Sequence, residues 1–233
     1  MIVPTTHTPP NAEQEPERPA VEVLVTGFGP FRKYGVNPSY EIVSRLPNRI
    51  DPLDSEPGAP EIILRRPSDP VKVAYQHVFR AIPELYETYP NVRYFVHVGV
   101  SHLATCCQLE TRARKGPYEG LDVDGRRWCG DADGWDDVWR SAPEQIQSAV
   151  DVEGIAVKMA SGGKWEVSTS NDAGLYLCEF IYFNSMHTAR RLGEAGRDIK
   201  GVFIHVPANL EPEILDSERD TVAQIIREMV AKG

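Results

Sequence analysis

The sequence has no apolar run long enough to span a bilayer, which excludes a transmembrane helix. Its start, Met1-Ile2-Val3-Pro4, lacks the basic residues and apolar core of a secretory signal, so a cytoplasmic chain is expected. No Lys/Arg cluster is present, and 25 Lys+Arg against 34 Asp+Glu give a net charge of −9. An acidic surface repels phosphate backbones, so nucleic acid is not an expected partner, and nothing points to a membrane. Cysteine is scarce: Cys106, Cys107, Cys129 and Cys178 show no framework spacing. Adjacent Cys106 and Cys107 would not form an ordinary disulfide, and a reducing compartment keeps the thiols free. Zinc held by His97, His102, Cys106 and Cys107 would need unusually crowded spacing, so no metal site is expected.

What is present suits one α/β domain. The 233 residues, 41% apolar and 25% charged, are enough for one sizeable core. Residues 1–20 are rich in Pro, Glu, Thr and Asn and read as a disordered tail, leaving 21–233 as the domain. Val21–Thr26 is a β-branched strand closed by Gly27, and Gly27-Phe28-Gly29-Pro30-Phe31 is a loop. Asn37-Pro38-Ser39 signals a helix start, with Asn37 as cap and an end near Pro47. Ile62–Leu64 and Tyr94–Gly99 read as strands. Val71–Tyr89 has helical spacing that Pro83 would kink or interrupt. The alternation predicts a twisted, mostly parallel or mixed sheet with helices on both faces. Gly116–Trp139 breaks that rhythm with Trp128, Trp135 and Trp139; a working loop and a surface excursion both fit it. Further on, 151–161 is helical, Trp165–Thr169 alternates as a strand, and Gly174–Glu194 is the longest helix. Gly201–Pro207 is a buried strand, and an amphipathic helix begins at Asp216 or Ser217.

Two residues bring chemistry to this frame. Cys178 falls in the first turns of the Gly174–Glu194 helix, where free amides place partial positive charge near a sulfur. A thiolate is the nucleophilic form of cysteine, and such amides also receive an oxyanion. Inert core cysteine is the competing reading. His205 ends a strand just before Pro207, where α/β sheets assemble sites; a hydrogen-bonded structural histidine is its competing reading. Glu110 is the best candidate for a third group that holds the imidazole, against a solvated carboxylate paired with Arg112.

Four separated segments resemble the pyroglutamyl peptidase I family of cysteine peptidases. They are Val23–Phe31 with Val36–Ser39, Val96–Ser101 through Leu109-Glu110, Asp172-Ala173-Gly174 with Tyr176-Leu177-Cys178, and Phe203–Pro207. Lys115-Gly116, Tyr118 and Gly120-Leu121-Asp122 look like its eukaryotic branch. The resemblance implies an α/β/α sandwich of the phosphorylase/hydrolase-like kind and removal of N-terminal pyroglutamate through a thioester acyl-enzyme. It implies Cys178 as nucleophile, His205 as general base and then acid, Glu110 as imidazole orienter, and Phe28 and Phe31 as walls of the lactam pocket. It implies no metal or organic cofactor. Small peptides with a pyroglutamyl N-terminus would be the partners, and a homo-oligomer is compatible with it. Arg32-Lys33, His102 and Leu175 depart from the family's usual residues near the substrate loop and the helix start. They keep two alternatives open: another cysteine amidase or acyl transferase on the same scaffold, and a non-catalytic binding protein.

Overall fold

The structure, a computed structural model, describes residues 19–31, 35–52, 59–130 and 136–233. Residues 1–18 of the expected tail, Arg32, Lys33 and Trp135 lie outside the described residues.

The first strand, β1 (Ala20–Gly27), is followed by helix α1 (Pro38–Arg45), the short strand β2 (Arg49–Ile50), β3 (Glu61–Arg65), helix α2 (Tyr75–Thr88) and the long strand β4 (Val92–Ser101). Next come β5 (Cys107–Glu110), β6 (Arg112–Arg114), a single turn α3 (Asp136–Trp139) and β7 (Gln145–Gln147). Helix α4 (Val152–Ser161), β8 (Val167–Ser170), helix α5 (Leu177–Glu194), β9 (Lys200–Pro207) and helix α6 (Pro212–Ala231) complete the chain.

Seven strands form one sheet in the order β2-β3-β1-β4-β9-β5-β8. The β3-β1-β4-β9 centre is parallel, β5 runs antiparallel to β9, and β8 runs parallel to β5. Strand alternation divides the core into two layers. Val23, Val25, Val96, Val98, Val202 and Ile204 face α1, α4 and α6. Leu24, Phe95 and Phe203 face α2 and α5. This is the expected α/β/α sandwich, with a mostly parallel, mixed sheet. Full burial of a side chain such as Phe203 or Ile204 contributes roughly 1.5–3 kcal/mol, so the two layers dominate the fold's stability.

Local chemistry explains the helix boundaries. Asn37 caps α1 by accepting from Ser39 N at 3.1 Å, with Pro38 at the first helical position. Asp151 caps α4 through Gly154 N at 3.0 Å. Helix α2 continues through Pro83 to Thr88, so the proline does not interrupt it. Helix α6 begins at Pro212, earlier than the expected Asp216 or Ser217, because Pro212 occupies its first turn. Helix α5 begins at Leu177, later than Gly174, because Gly174 (φ 96°) and Leu175 (φ 47°) both adopt left-handed backbone. That shift brings Cys178 to the second helical position.

Of the described tryptophans of the 116–139 segment, Trp139 is buried in the core and Trp128 is partly buried against it. Trp128 and Trp139 lie 4.6 and 5.1 Å from the Phe180 ring, and Trp139 also meets Phe183 at 4.9 Å. Asp122 folds the preceding turn by accepting from Asp124 N and Arg126 N, each at 2.9 Å, and from Tyr75 N at 3.1 Å.

Candidate active site

The parallel strands β1, β4 and β9 deliver Phe28, Gly99 and His205 to one end of the sheet, where their carboxyl termini meet the start of α5. Gly99 and His205 are partners in the parallel register. β5 approaches β9 from the opposite direction, pairing Glu110 with Phe203. Glu110 is thus one diagonal step from His205 on the face that α5 covers. A strand of four residues positions this carboxylate, and its register with β9 sets it beside the imidazole.

The Nδ1 of His205 and Oε1 of Glu110 are 2.7 Å apart, both side chains being buried. Glu110 lies in the sheet and is not the solvated partner of Arg112, whose guanidinium instead donates to Asn171 O at 2.9 Å and to Gln145 at 3.0 Å. The imidazole also interacts with Cys178, which favours its protonated form. Burial opposes a charge on His205, but the interactions with Cys178 and Glu110 outweigh it and raise the imidazole to about 10. The imidazole proton is thus held more tightly than in an ordinary histidine.

Gly99 is the floor under the sulfur. A Cβ there would stand 3.0 Å from Cys178 Sγ and 2.4 Å from Cζ of Phe203. Phe203 in turn packs edge-on against His205, with ring centroids 4.8 Å apart. Glu179, next to Cys178, is fully buried and bonded to Arg114 of β6 at 2.7 Å.

Phe28 is buried, its N–H donating to Ser39 Oγ at 3.0 Å, while Phe31 is half-buried. The Phe31 ring lies 5.4 Å from that of Tyr176, the residue preceding α5. Tyr176 also donates its hydroxyl to Leu121 O at 2.6 Å, so the 116–130 stretch closes onto the same corner. Gly99, Glu179, Arg114 and Tyr176 were not singled out individually from sequence. All four lie within segments that carry the family resemblance or directly beside them.

The crowded His/Cys set does not converge on a metal. His97 is buried in β4 between Thr26 Oγ1 (2.7 Å) and Ser185 Oγ (2.5 Å), and burial drives its imidazole down to about 3. Cys107 donates to Glu218 at 2.7 Å. Among the described residues no group of three or more His, Cys, Asp or Glu is arranged to hold a metal ion.

A thiol at a helix start, set against an imidazole–carboxylate pair at the strand ends of a three-layer α/β domain, is the set of groups that a cysteine hydrolase requires. No protein-family model matches the chain. Curated relatives do. Pyroglutamyl-peptidase 1 of Rattus norvegicus is 35% identical over 92% of this chain and 92% of its own length. The Homo sapiens protein of the same name is 34% identical over the same shares. Among solved structures, the pyrrolidone carboxyl peptidase of Thermococcus litoralis superposes with a TM-score of 0.72 at 18% identity, covering 91% of this chain and 94% of that one. That of Fervidobacterium islandicum AW-1 gives 0.69 at 24% identity, covering 89% and 97%. At those identities the solved structures establish the fold. The curated relatives establish more: the chain belongs to the pyroglutamyl-peptidase 1 family.

Proposed function

We propose that this protein removes N-terminal pyroglutamate from small peptides, using Cys178 as nucleophile, His205 as general base and acid, and Glu110 as the group that orients the imidazole. The observation that carries the reading is the buried 2.7 Å contact between His205 Nδ1 and Glu110, on a ring that also interacts with Cys178. The Cys178 thiolate attacks the carbonyl joining pyroglutamate to the next residue. Amides at the start of α5 receive the oxyanion. His205 gives its proton to the departing amine and then takes one from the water that hydrolyses the thioester. Phe28 and Phe31 wall a pocket for a flat, uncharged lactam. A free α-amino group is rejected there, because burying an unpaired charge costs far more than burying a lactam. A reducing cytoplasm suits a protein whose four cysteines are all free.

The test is release of a fluorophore from a pyroglutamyl amide, beside prolyl and acidic blocked amides. Turnover of the pyroglutamyl substrate alone, abolished by iodoacetamide, is the expected result. Turnover of only the acidic or prolyl members would assign the site to a different cysteine amidase. No turnover of any, with Cys178 alkylated no faster than in unfolded chain, would make it a binding protein.

A further inference from the structure

Glu179 follows Cys178 in α5, and its carboxylate is fully buried. An isolated carboxylate there would be unfavourable on two counts. It would lack solvation, and its charge would oppose a thiolate on the preceding residue while cancelling the positive end of the helix. Arg114 answers both. Its Nε and Nη2 donate to Oε1 and Oε2 of Glu179 at 2.7 and 2.9 Å, a two-point fork that lysine cannot reproduce. The same carboxylate accepts Arg114 N at 2.8 Å and Leu175 N at 2.7 Å. Arg114 Nη2 also reaches Asp172, which accepts Gly174 N at 3.1 Å. These bonds span the stretch in which Gly174 and Leu175 turn through left-handed backbone before Cys178. A non-glycine residue there costs of order 1 kcal/mol or more and persists only where its surroundings enforce it.

We propose that Arg114 and Glu179 position the nucleophile: the fork holds the backbone that presents Cys178, and the guanidinium cancels the carboxylate charge beside the sulfur. The inference rests on the reading of Cys178 as the nucleophile. It is not needed to explain stability, since buried ion pairs contribute little there that well-packed apolar side chains would not. Among the described residues, His205 interacts with Cys178 and is paired with Glu110, while Asp172 and the Tyr118 hydroxyl both meet Arg114.

The experiment compares Arg114→Ala, Arg114→Lys and the double variant Arg114→Ala/Glu179→Gln in the full chain. Three quantities are measured: iodoacetamide alkylation of Cys178 across pH, kcat and KM on a pyroglutamyl amide, and thermal unfolding. Arg114→Ala leaves an unbalanced carboxylate, so the alkylation profile moves to alkaline pH by about one unit, a roughly tenfold slower reaction at neutral pH. Its kcat falls about tenfold while KM stays within about twofold, because the pair does not touch substrate. Arg114→Lys restores the alkylation profile but not the full kcat, since it returns the charge without the fork. The double variant also restores the alkylation profile, because the unbalanced charge has gone. The inference is overturned if Arg114→Ala lowers only the unfolding temperature, or if the double variant is displaced as far as the single one. Should Arg114→Ala fail to fold, the lysine and double variants still decide, with an unmoved kcat in both counting against the pair. Alkylation requires no substrate, so it reads the pair even if pyroglutamyl amides prove not to be cleaved.

Discussion

Gly99 lies directly beneath the thiol of Cys178, close enough that a single methyl group at its Cα would approach the sulfur to 3.0 Å. The same methyl would overlap the fully buried ring of Phe203, at 2.4 Å from Cζ. Gly99→Ala therefore forces either the ring or the start of α5 to move. Overpacking of this kind costs about 1–3 kcal/mol, read as a lower denaturant midpoint. Turnover drops further than stability accounts for, because Phe203 also packs on His205. Full activity in folded Gly99→Ala enzyme would show that Cys178 does not need this floor.

The His205–Glu110 contact makes a statement about pH. The imidazole is raised from 6.5 to about 10, so the folded chain holds a proton that the unfolded chain releases. Its contribution to stability is complete below pH 6.5 and is lost as pH rises towards 10. Histidine NMR on the native protein should find the His205 resonance titrating far above the ordinary range. In Glu110→Gln the midpoint falls, because a neutral amide no longer favours the charged ring. Turnover falls with it, and substrate affinity changes less. An unchanged midpoint in that variant would remove Glu110 from the role of orienter.

The four thiols should differ sharply in reactivity. Burial and the neighbouring Glu218 push Cys107 well above the ordinary thiol range, so it resists alkylation in the folded state. Cys178 is expected to react fastest through its interaction with His205, and Cys129 is exposed to the reagent. Cys178→Ala abolishes turnover with little loss of folding, and Cys106→Ala leaves turnover largely intact. Peptide mapping after brief iodoacetamide treatment, alongside the two activity assays, checks this order.

What the residues reveal before folding is uneven, for physical reasons. Long β-branched strands such as β4 and β9, and capped helices such as α1 and α4, announce themselves through local patterning. The strands β5, β6 and β7 have three or four residues each, too few for a period to be read. Glu110 and Arg114 sit on two of them, so their burial depends on pairing with distant chain. Glu110 stood out chiefly through family resemblance. Glu179 looks like any solvated helix residue, and its partner is 65 positions away. Leu175 in left-handed backbone gives no local sign either, which is why the start of α5 is misjudged by three residues. Local rules find the frame and the thiol; the groups that hold the thiol in place come from tertiary pairing.

Asn37 joins the helix start to the aromatic loop, and its substitution should separate binding from chemistry. Its Oδ1 accepts from Ser39 N at 3.1 Å and from Ser39 Oγ at 2.9 Å, while its Nδ2 donates to Gly29 O at 2.9 Å. Ser39 Oγ in turn accepts from Phe28 N at 3.0 Å. One buried side chain thus fixes both the first turn of α1 and the loop between Phe28 and Phe31. Asn37→Ala removes a helix cap, worth about 1 kcal/mol. It also leaves Gly29 O without its donor, adding about 1–3 kcal/mol. Loosening of the loop blurs the lactam pocket without touching Cys178, His205 or Glu110. KM for a pyroglutamyl amide is therefore expected to rise several-fold, while iodoacetamide reacts with Cys178 at its native rate. A fall in kcat at unchanged KM would instead tie this loop to the chemical step and detach Phe28 and Phe31 from the pocket.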